Sequence, residues 1–349
     1  KAGRVVPLLK PEKPANQGES YRPITLLSPV VKTLEALLLP LFTTHLAPAP
    51  HQHGFRRVHS TTTALTAINA QINRGLNQNR PCERTVLVAL DLKKAFDTVS
   101  HSTLLDDIYQ STLPPGLKRW SANYLSGRHS SVIFRDQMSK QRKIKQGVPQ
   151  GGVLSPLLFN FYISKLPQPP AGVSLISYAD DCTIMASGND IDGLCSKVNN
   201  YLTDLSRFFT ARNLQLSPTK STATLFTTWT KEVKLSLKVK VDDTPIPTVN
   251  NPKILGVTFD SLLSFSAHTT AIATKVQNRN KVLKSLAGST WGKDKELLLS
   301  TFKAIGRPVL NYAAPVWSPG TSDSQWTKLQ TCQNTAIRTA TGCLLMSPI

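Results

Sequence analysis

The stretch Leu175–Ala186, LISYADDCTIMA, sets two short apolar runs around a pair of adjacent acids, Asp180 and Asp181. Residues Val173 to Tyr178 and Cys182 to Ala186 both have strand character, so the economical reading is a β-hairpin with the acids at its tip. On an exposed turn two neighbouring carboxylates are unremarkable, because Asp favours turns. A second segment gives them weight. TVLVALDL (85–92) is β-branched and apolar, the signature of a buried strand, and it ends on Asp91, an acid that no core requires. If the two strands are neighbours, Asp91 and Asp180 crowd together and repel one another until cations intervene. Hard carboxylate oxygens suit Mg²⁺, which keeps water and takes up substrate phosphate oxygens. Two such ions about 3.5–4 Å apart clamp the attacking and leaving oxygens of an in-line phosphoryl displacement.

Composition agrees with that chemistry. The 349 residues suffice for one large multi-lobed enzyme or two to three ordinary domains, and 40% apolar content excludes global disorder. Lys and Arg outnumber Asp and Glu by 41 to 21, a net charge of +20 that points to a polyanionic partner, nucleic acid above all. The five cysteines (82, 182, 195, 332 and 343) show no Cys-x-x-Cys spacing and are odd in number, so neither a zinc site nor a secreted disulfide framework is expected. Reduced thiols fit an intracellular protein of the cytoplasm and nucleus. His51 and His53 are two apart, poor spacing for metal capture on a helix, and are read as structural. The most apolar run, LEALLLPLF from Leu34, is interrupted by Glu35 and Pro40, so no membrane span is expected. An abrupt charged start at Lys1 without Met reads as an internal point of a longer polypeptide.

Elsewhere the periodicity alternates. VLSPLLFNFYISKL (153–166) sets Leu154, Leu158, Phe161 and Tyr162 at helical spacing. KEVKLSLKVKV (231–241) alternates strictly, predicting a half-buried strand with Lys234, Lys238 and Lys240 on its outer face. AIATKVQNRNKVLKSLAG (271–288) reads as a basic amphipathic helix, and KELLLSTFKAIGRPVL (295–310) as another that ends before Pro308. Strands with interspersed helices come first and a helical, basic region follows: an α+β core with a helical appendage.

The chain resembles the reverse transcriptase domain of LINE-like retrotransposons, elements without long terminal repeats (the jockey-like ones among them), over essentially its whole length. The motifs succeed one another in the family's order. YRPITLLSPVVKTLE (21–35) and QHGFRRVHSTTTAL (52–65) are similar to its finger motifs, LDLKKAFDTVSH (90–101) to the motif of the first acid, and QGVPQGGVLSPLLFNFYI (146–163) to its Gly-rich loop and helix. Tyr178-Ala179-Asp180-Asp181 resembles the catalytic turn; NLQLSPTKS (213–221) and PKILGVTFD (252–260) resemble the next motif and the primer grip, and VLNYAAPVW (309–317) and LQTCQNTAIRTATG (329–342) the region beyond. Each motif is moderately specific; their ordered succession is very specific.

The resemblance implies a right-hand polymerase architecture: fingers at 1–85, a palm with an antiparallel sheet at 86–262 (a segment near 128–152 on the finger side), and a helical thumb at 263–349. It implies that Asp91, Asp180 and Asp181, with the backbone carbonyl of Leu92, hold two Mg²⁺ ions, Mn²⁺ being a substitute. Phe96 would lie under the incoming sugar and exclude a 2′-hydroxyl. Lys10 and Arg22 would hold the triphosphate, with Lys13 as a substitute for Lys10. Gln150 would lie near the nucleotide, Lys220 would give a proton to pyrophosphate, and Leu255 and Gly256 would form the primer grip. Asp97 is expected to be structural. The implied activity is RNA-directed DNA polymerisation with RNA template, DNA primer and dNTPs, the lysines of 231–241 and of 271–288 tracking the phosphate backbone. An endonuclease and other domains would lie in the longer polyprotein. A catalytically silent nucleic-acid-binding relic and an RNA-directed RNA polymerase are the competing readings.

Overall fold

A computed structural model describes residues 1–11, 13–78, 81–288 and 292–343. Residues 289–291 and 344–349 of the expected thumb, and residues 12 and 79–80 of the expected fingers, therefore lie outside the described residues. At the centre of the molecule is β3 (Arg84–Leu90), whose run of Val, Leu and Ala is apolar on both faces because both are covered. It pairs antiparallel with β8 (Asp181–Gly188) on one side and β9 (Thr222–Phe226) on the other, and β7 (Val173–Tyr178) completes a sheet of order β7-β8-β3-β9. Strand alternation then deals the side chains to two cores. Val86, Val88 and Leu90 join Cys182, Ile184 and Ala186 against α6 (Ser155–Tyr162) and α7 (Ile191–Ala211). Leu87, Met185 and Phe226 face the other way, onto Leu65, Ile68 and Ile72 of α2 (Thr61–Leu76). A capping box of Ser60 and Thr63 starts that helix.

A second sheet lies at the amino-terminal end. β1 (Ala2–Leu9) pairs antiparallel with β2 (Tyr21–Leu26) and parallel with β4 (His129–Phe134), to which the short β5 (Gln137–Met138) and β6 (Arg142–Lys143) are appended. Helix α1 (Pro29–His45) follows β2 and continues through Pro40. The short α3 (Ala95–Thr98), α4 (His101–Gln110) and α5 (Pro115–Leu125) connect the two sheets. Among the described residues no helix is long and apolar enough to cross a membrane.

The expected strand at 231–241 is only partly formed. Residues Thr230–Glu232 make a 3₁₀ turn, and ladder pairing is confined to β10 (Lys240–Val241) with β11 (Thr244–Pro245). Leu237, Val239 and Val241 are nonetheless buried, as the alternation requires, whereas Val233 is half-buried and Leu235 is exposed. Here the pattern reports burial while a side chain supplies the hydrogen bonds: Asn199 of α7 donates to the carbonyl of Lys238 (2.9 Å) and accepts from the amide of Lys240 (3.0 Å). Its lysines are also partly neutralised, Lys238 by Asp192 (3.2 Å) and Lys240 by Asp243 (3.5 Å).

The hairpin of β12 (Lys253–Ile254) and β13 (Val257–Thr258) leads into a helical region. α8 (Ser266–Leu286) buries Ile272, Val276 and Leu283 and exposes Lys275, Arg279, Lys281 and Lys284, as its periodicity requires. It packs on α9 (Lys295–Ile305) and α12 (Asp323–Thr341), and the buried Asn280 donates to the Cys332 carbonyl across the α8–α12 contact (2.8 Å). α9 stops at Ile305, before Pro308 as expected, but the chain turns helical again at once. Pro308 sits in the first turn of α10 (Arg307–Asn311), where its missing N–H costs nothing. α11 (Ala314–Trp317) then packs on α2, joining the helical region to the central sheet.

Candidate active site

The hairpin is as the sequence requires: Tyr178 pairs with Asp181, leaving Ala179 and Asp180 as the two-residue loop. The β3–β8 register ends with Leu90 opposite Cys182, so the next residue, Asp91, emerges beside that loop. A strap from the motif after the hairpin fixes it there. The Asp91 amide donates to Ser221 Oγ (3.1 Å), and the Asp91 carbonyl accepts from the amide of Ser217 (2.8 Å). Leu92 bridges Leu216, but these bonds belong to its neighbours and its own carbonyl takes no part in them.

Asp91, Leu92 and Asp180 line an open cleft of about 1060 Å³. Lys10, Arg22 and Lys220 give it cationic walls, and Phe96, Asp97 and Gln150 complete it. Lys10 lines the cleft, and Lys13 is not among the lining residues. Asp181 opens β8 and is not among the lining residues. Leu255 and Gly256 also lie off the cleft wall, in the loop of the β12–β13 hairpin, where Tyr312 Oη donates to the Leu255 carbonyl (2.7 Å). The lysines of 231–241 are not among the residues that line the cleft.

The acids hold their protons unusually well. Burial raises the Asp91 carboxyl, opposed by Lys220 and Lys10; burial likewise raises Asp180, with Asp91 adding repulsion and Arg22 opposing it. Asp181 is pushed up to about 6 by desolvation, then by Asp180 and Asp91. Desolvation is the leading cause of each shift, and repulsion between neighbouring acids adds to it at Asp180 and Asp181. The donors at this end of the cleft, two carboxylates and a free backbone carbonyl, are all hard oxygens, and they fit a hard divalent cation. Among the described residues no three His, Cys, Asp or Glu side chains form a group that would hold a metal by themselves.

The surroundings are rigid for identifiable reasons. The Phe96 ring stacks on Phe159 (centroids 4.3 Å apart, 20° between planes). Asp97, expected to be purely structural, lines the cleft and accepts a hydrogen bond from Gln150 Nε2 (2.8 Å), so it orients the residue expected near the nucleotide. The Gln150 carbonyl accepts from the Thr25 amide (2.7 Å), and a Cβ on Gly151 (φ +125°) would lie 2.5 Å from the Thr25 carbonyl oxygen. Only glycine permits that approach. Beneath the same loop the fully buried Glu35 accepts from the amides of Val153 (2.5 Å) and Leu154 (3.0 Å) and from Tyr124 Oη (3.0 Å). In the sequence Glu35 stands out only as an acid interrupting an apolar run; that misfit was the available signal of a buried partner.

Known proteins agree with this geometry. The profile of the family described as reverse transcriptase (RNA-dependent DNA polymerase) matches residues 10–259. A Drosophila melanogaster protein named probable RNA-directed DNA polymerase from transposon X-element is 31% identical over 98% of this chain, which covers 38% of that protein. A second from the same organism, of transposon BS, is 28% identical with the same coverage, and the polymerase of mobile element jockey from Drosophila funebris is 27% identical over 90% of this chain and 35% of its own length. The chain thus spans a little over a third of these curated relatives. Among solved structures, telomerase from Candida tropicalis in complex with a fragment of telomeric RNA superimposes with a TM-score of 0.53 at 13% identity, over 99% of this chain and 59% of that one. The apo form gives 0.52 at 14% identity, over 97% and 62%. At such identities the likeness concerns the fold alone, the right-hand arrangement of a polymerase. Members of the matched family generally use divalent metal ions. By its matched profile, its fold and the order of its motifs, this chain belongs to the reverse transcriptase (RNA-dependent DNA polymerase) family.

Proposed function

We propose that this chain is the RNA-directed DNA polymerase domain of a LINE-like retrotransposon, extending a DNA primer with dNTPs on an RNA template. The observation that carries the reading is the meeting of Asp91 and Asp180, from adjacent strands, in one cleft with Lys10, Arg22 and Lys220. Asp91, Asp180 and the Leu92 carbonyl hold the metal, and Asp181 completes the charge at the turn. Two Mg²⁺ ions, or Mn²⁺ in their place, would activate the primer 3′-hydroxyl and stabilise charge on the leaving pyrophosphate. Arg22 grips triphosphate oxygens through its planar fork, Lys10 adds a second cation, and Lys220 delivers a proton to the departing pyrophosphate. The Phe96 ring, immobilised by Phe159, lies under the sugar and leaves no room for a 2′-hydroxyl. Leu255 and Gly256 steady the primer.

In this reading residues 1–85 are the fingers, with 128–152 alongside them; 86–262 are the palm and 263–349 the thumb. The exposed cations of α8 follow the nucleic-acid backbone, and binding weakens steeply with salt. The endonuclease and remaining functions belong to other parts of a longer polyprotein that works in cytoplasm and nucleus. The test is extension of oligo(dT) on poly(rA) with dTTP and Mg²⁺ by the purified chain. Asp180→Asn is expected to slow extension on the order of 10²-fold or more. A variant as fast as the parent would overturn the assignment, and incorporation of UTP in preference to dTTP would favour an RNA-directed RNA polymerase.

A further inference from the structure

The loop that presents Asp180 is not self-supporting. Ala179 sits at φ +56°, in the left-handed region that a residue with a Cβ avoids. Something outside the hairpin must hold it. Gln52, 127 positions earlier, does so through both ends of its side-chain amide: Oε1 accepts from the Ala179 amide (2.8 Å) and Nε2 donates to the Ala179 carbonyl (3.3 Å). The side chain is itself immobilised. Gln52 is 1% exposed, and its Oε1 also accepts from the amide of Gly54 (2.7 Å).

Its backbone is fastened as firmly. The His53 amide donates to the Ser177 carbonyl (2.8 Å) and the Ser177 amide to the His51 carbonyl (2.9 Å), so this segment forms a short parallel bridge with β7. Gly54 passes so close to the turn that a Cβ on it would lie 2.4 Å from the Ala179 nitrogen, and Asn160 of α6 donates to the Gly54 carbonyl (2.7 Å). One amide thus grips both peptide units flanking Ala179, and the residue that follows them is Asp180. A carboxylate of the same size offers acceptors only, and an alanine offers nothing.

We infer that Gln52 is a positioning residue for the catalytic turn: its amide holds Ala179 left-handed and so keeps the Asp180 carboxylate directed at Asp91 in the cleft. The inference rests on the polymerase reading for its kinetic consequence but not for its structural one. It is tested with Gln52→Ala, Gln52→Glu, Ala179→Gly and the double variant Gln52→Ala/Ala179→Gly. The measurements are kcat and KM for dTTP on poly(rA)/oligo(dT), thermal melting, and residue-resolved hydrogen exchange.

Gln52→Ala is expected to lower kcat about 10-fold or more, with KM for dTTP little changed, because geometry at the reacting centre is lost and not substrate affinity. The Ala179 amide should lose its protection from exchange. Gln52→Glu should lose kcat similarly despite its matched volume, and it serves as the folded variant if Gln52→Ala does not fold. Adding Ala179→Gly to Gln52→Ala should recover part of the lost rate, since glycine accepts a positive φ without strain. Unchanged kcat, a loss matching only the unfolded fraction, or no recovery in the double variant would overturn the inference. If the parent chain extends no primer, the polymerase reading fails by itself, and the clamp is judged on exchange at Ala179: protection unaltered by Gln52→Ala refutes it.

Discussion

His268 makes the stability of the helical region sensitive to acid in a way that can be worked out in advance. The residue is 5% exposed, against the Trp317 ring (5.8 Å between centroids), and its Nδ1 accepts from the amide of Thr258 in β13 (3.3 Å). Nδ1 must stay deprotonated for that bond, so Nε2 carries the hydrogen. Burial, then Lys275 and Lys253, lower its pKa from 6.5 to about 4. Between those values the unfolded chain binds a proton that the folded chain refuses, so stability is lost as pH falls through that window and is fully present above 6.5. At 1.36 kcal/mol per pH unit the loss amounts to about 3 kcal/mol. The carboxyl of Asp181, raised to about 6, acts in the opposite sense: it costs stability as pH rises from 3.8 towards 6. The contribution of His268 must therefore be read as a difference between two proteins. His268→Asn keeps an acceptor near Nδ1 and removes the titration, at the expense of a constant packing loss. Urea unfolding of the parent and the variant from pH 4 to 8 should give curves that converge by about 3 kcal/mol on acidification. Parallel curves would refute the argument.

Three further outcomes follow from the site. Glu35→Ala leaves two amides and a hydroxyl buried without an acceptor; at about 1–3 kcal/mol each, partly relieved by water, it should destabilise by about 3 kcal/mol or more, and an unchanged urea midpoint would contradict this. Phe96→Val should lower the preference for dTTP over UTP, measured as a ratio of kcat/KM, by about 10-fold or more, whereas an unaltered ratio would remove Phe96 from sugar selection. Arg22→Lys exchanges a fork for a point charge and should raise KM for dTTP about 10-fold with little change in melting temperature; equal KM values would place the triphosphate elsewhere.

What could be read from the chain alone was whatever depends on near neighbours. The hairpin at 173–186, the buried strand ending on Asp91 and the basic stripe of α8 are written in periods of two and of 3.6 residues, and the order of motifs supplied the expected neighbours of each acid. Where the pattern misled, at 231–241, it reported the burial of Leu237, Val239 and Val241 but neither the exposure of Leu235 nor the hydrogen-bond partners. The residues that hold the site in shape were decided only in three dimensions. Gln52 grips Ala179 from 127 positions away, Glu35 the Val153 amide from 118, Asp97 the Gln150 side chain from 53 and Tyr312 the Leu255 carbonyl from 57. A single long-range hydrogen bond from a side chain leaves no periodicity in a sequence, and in three of these four cases its partner is a backbone group of a kind found all along the chain. Which backbone group it meets is settled by how the sheets and helices pack.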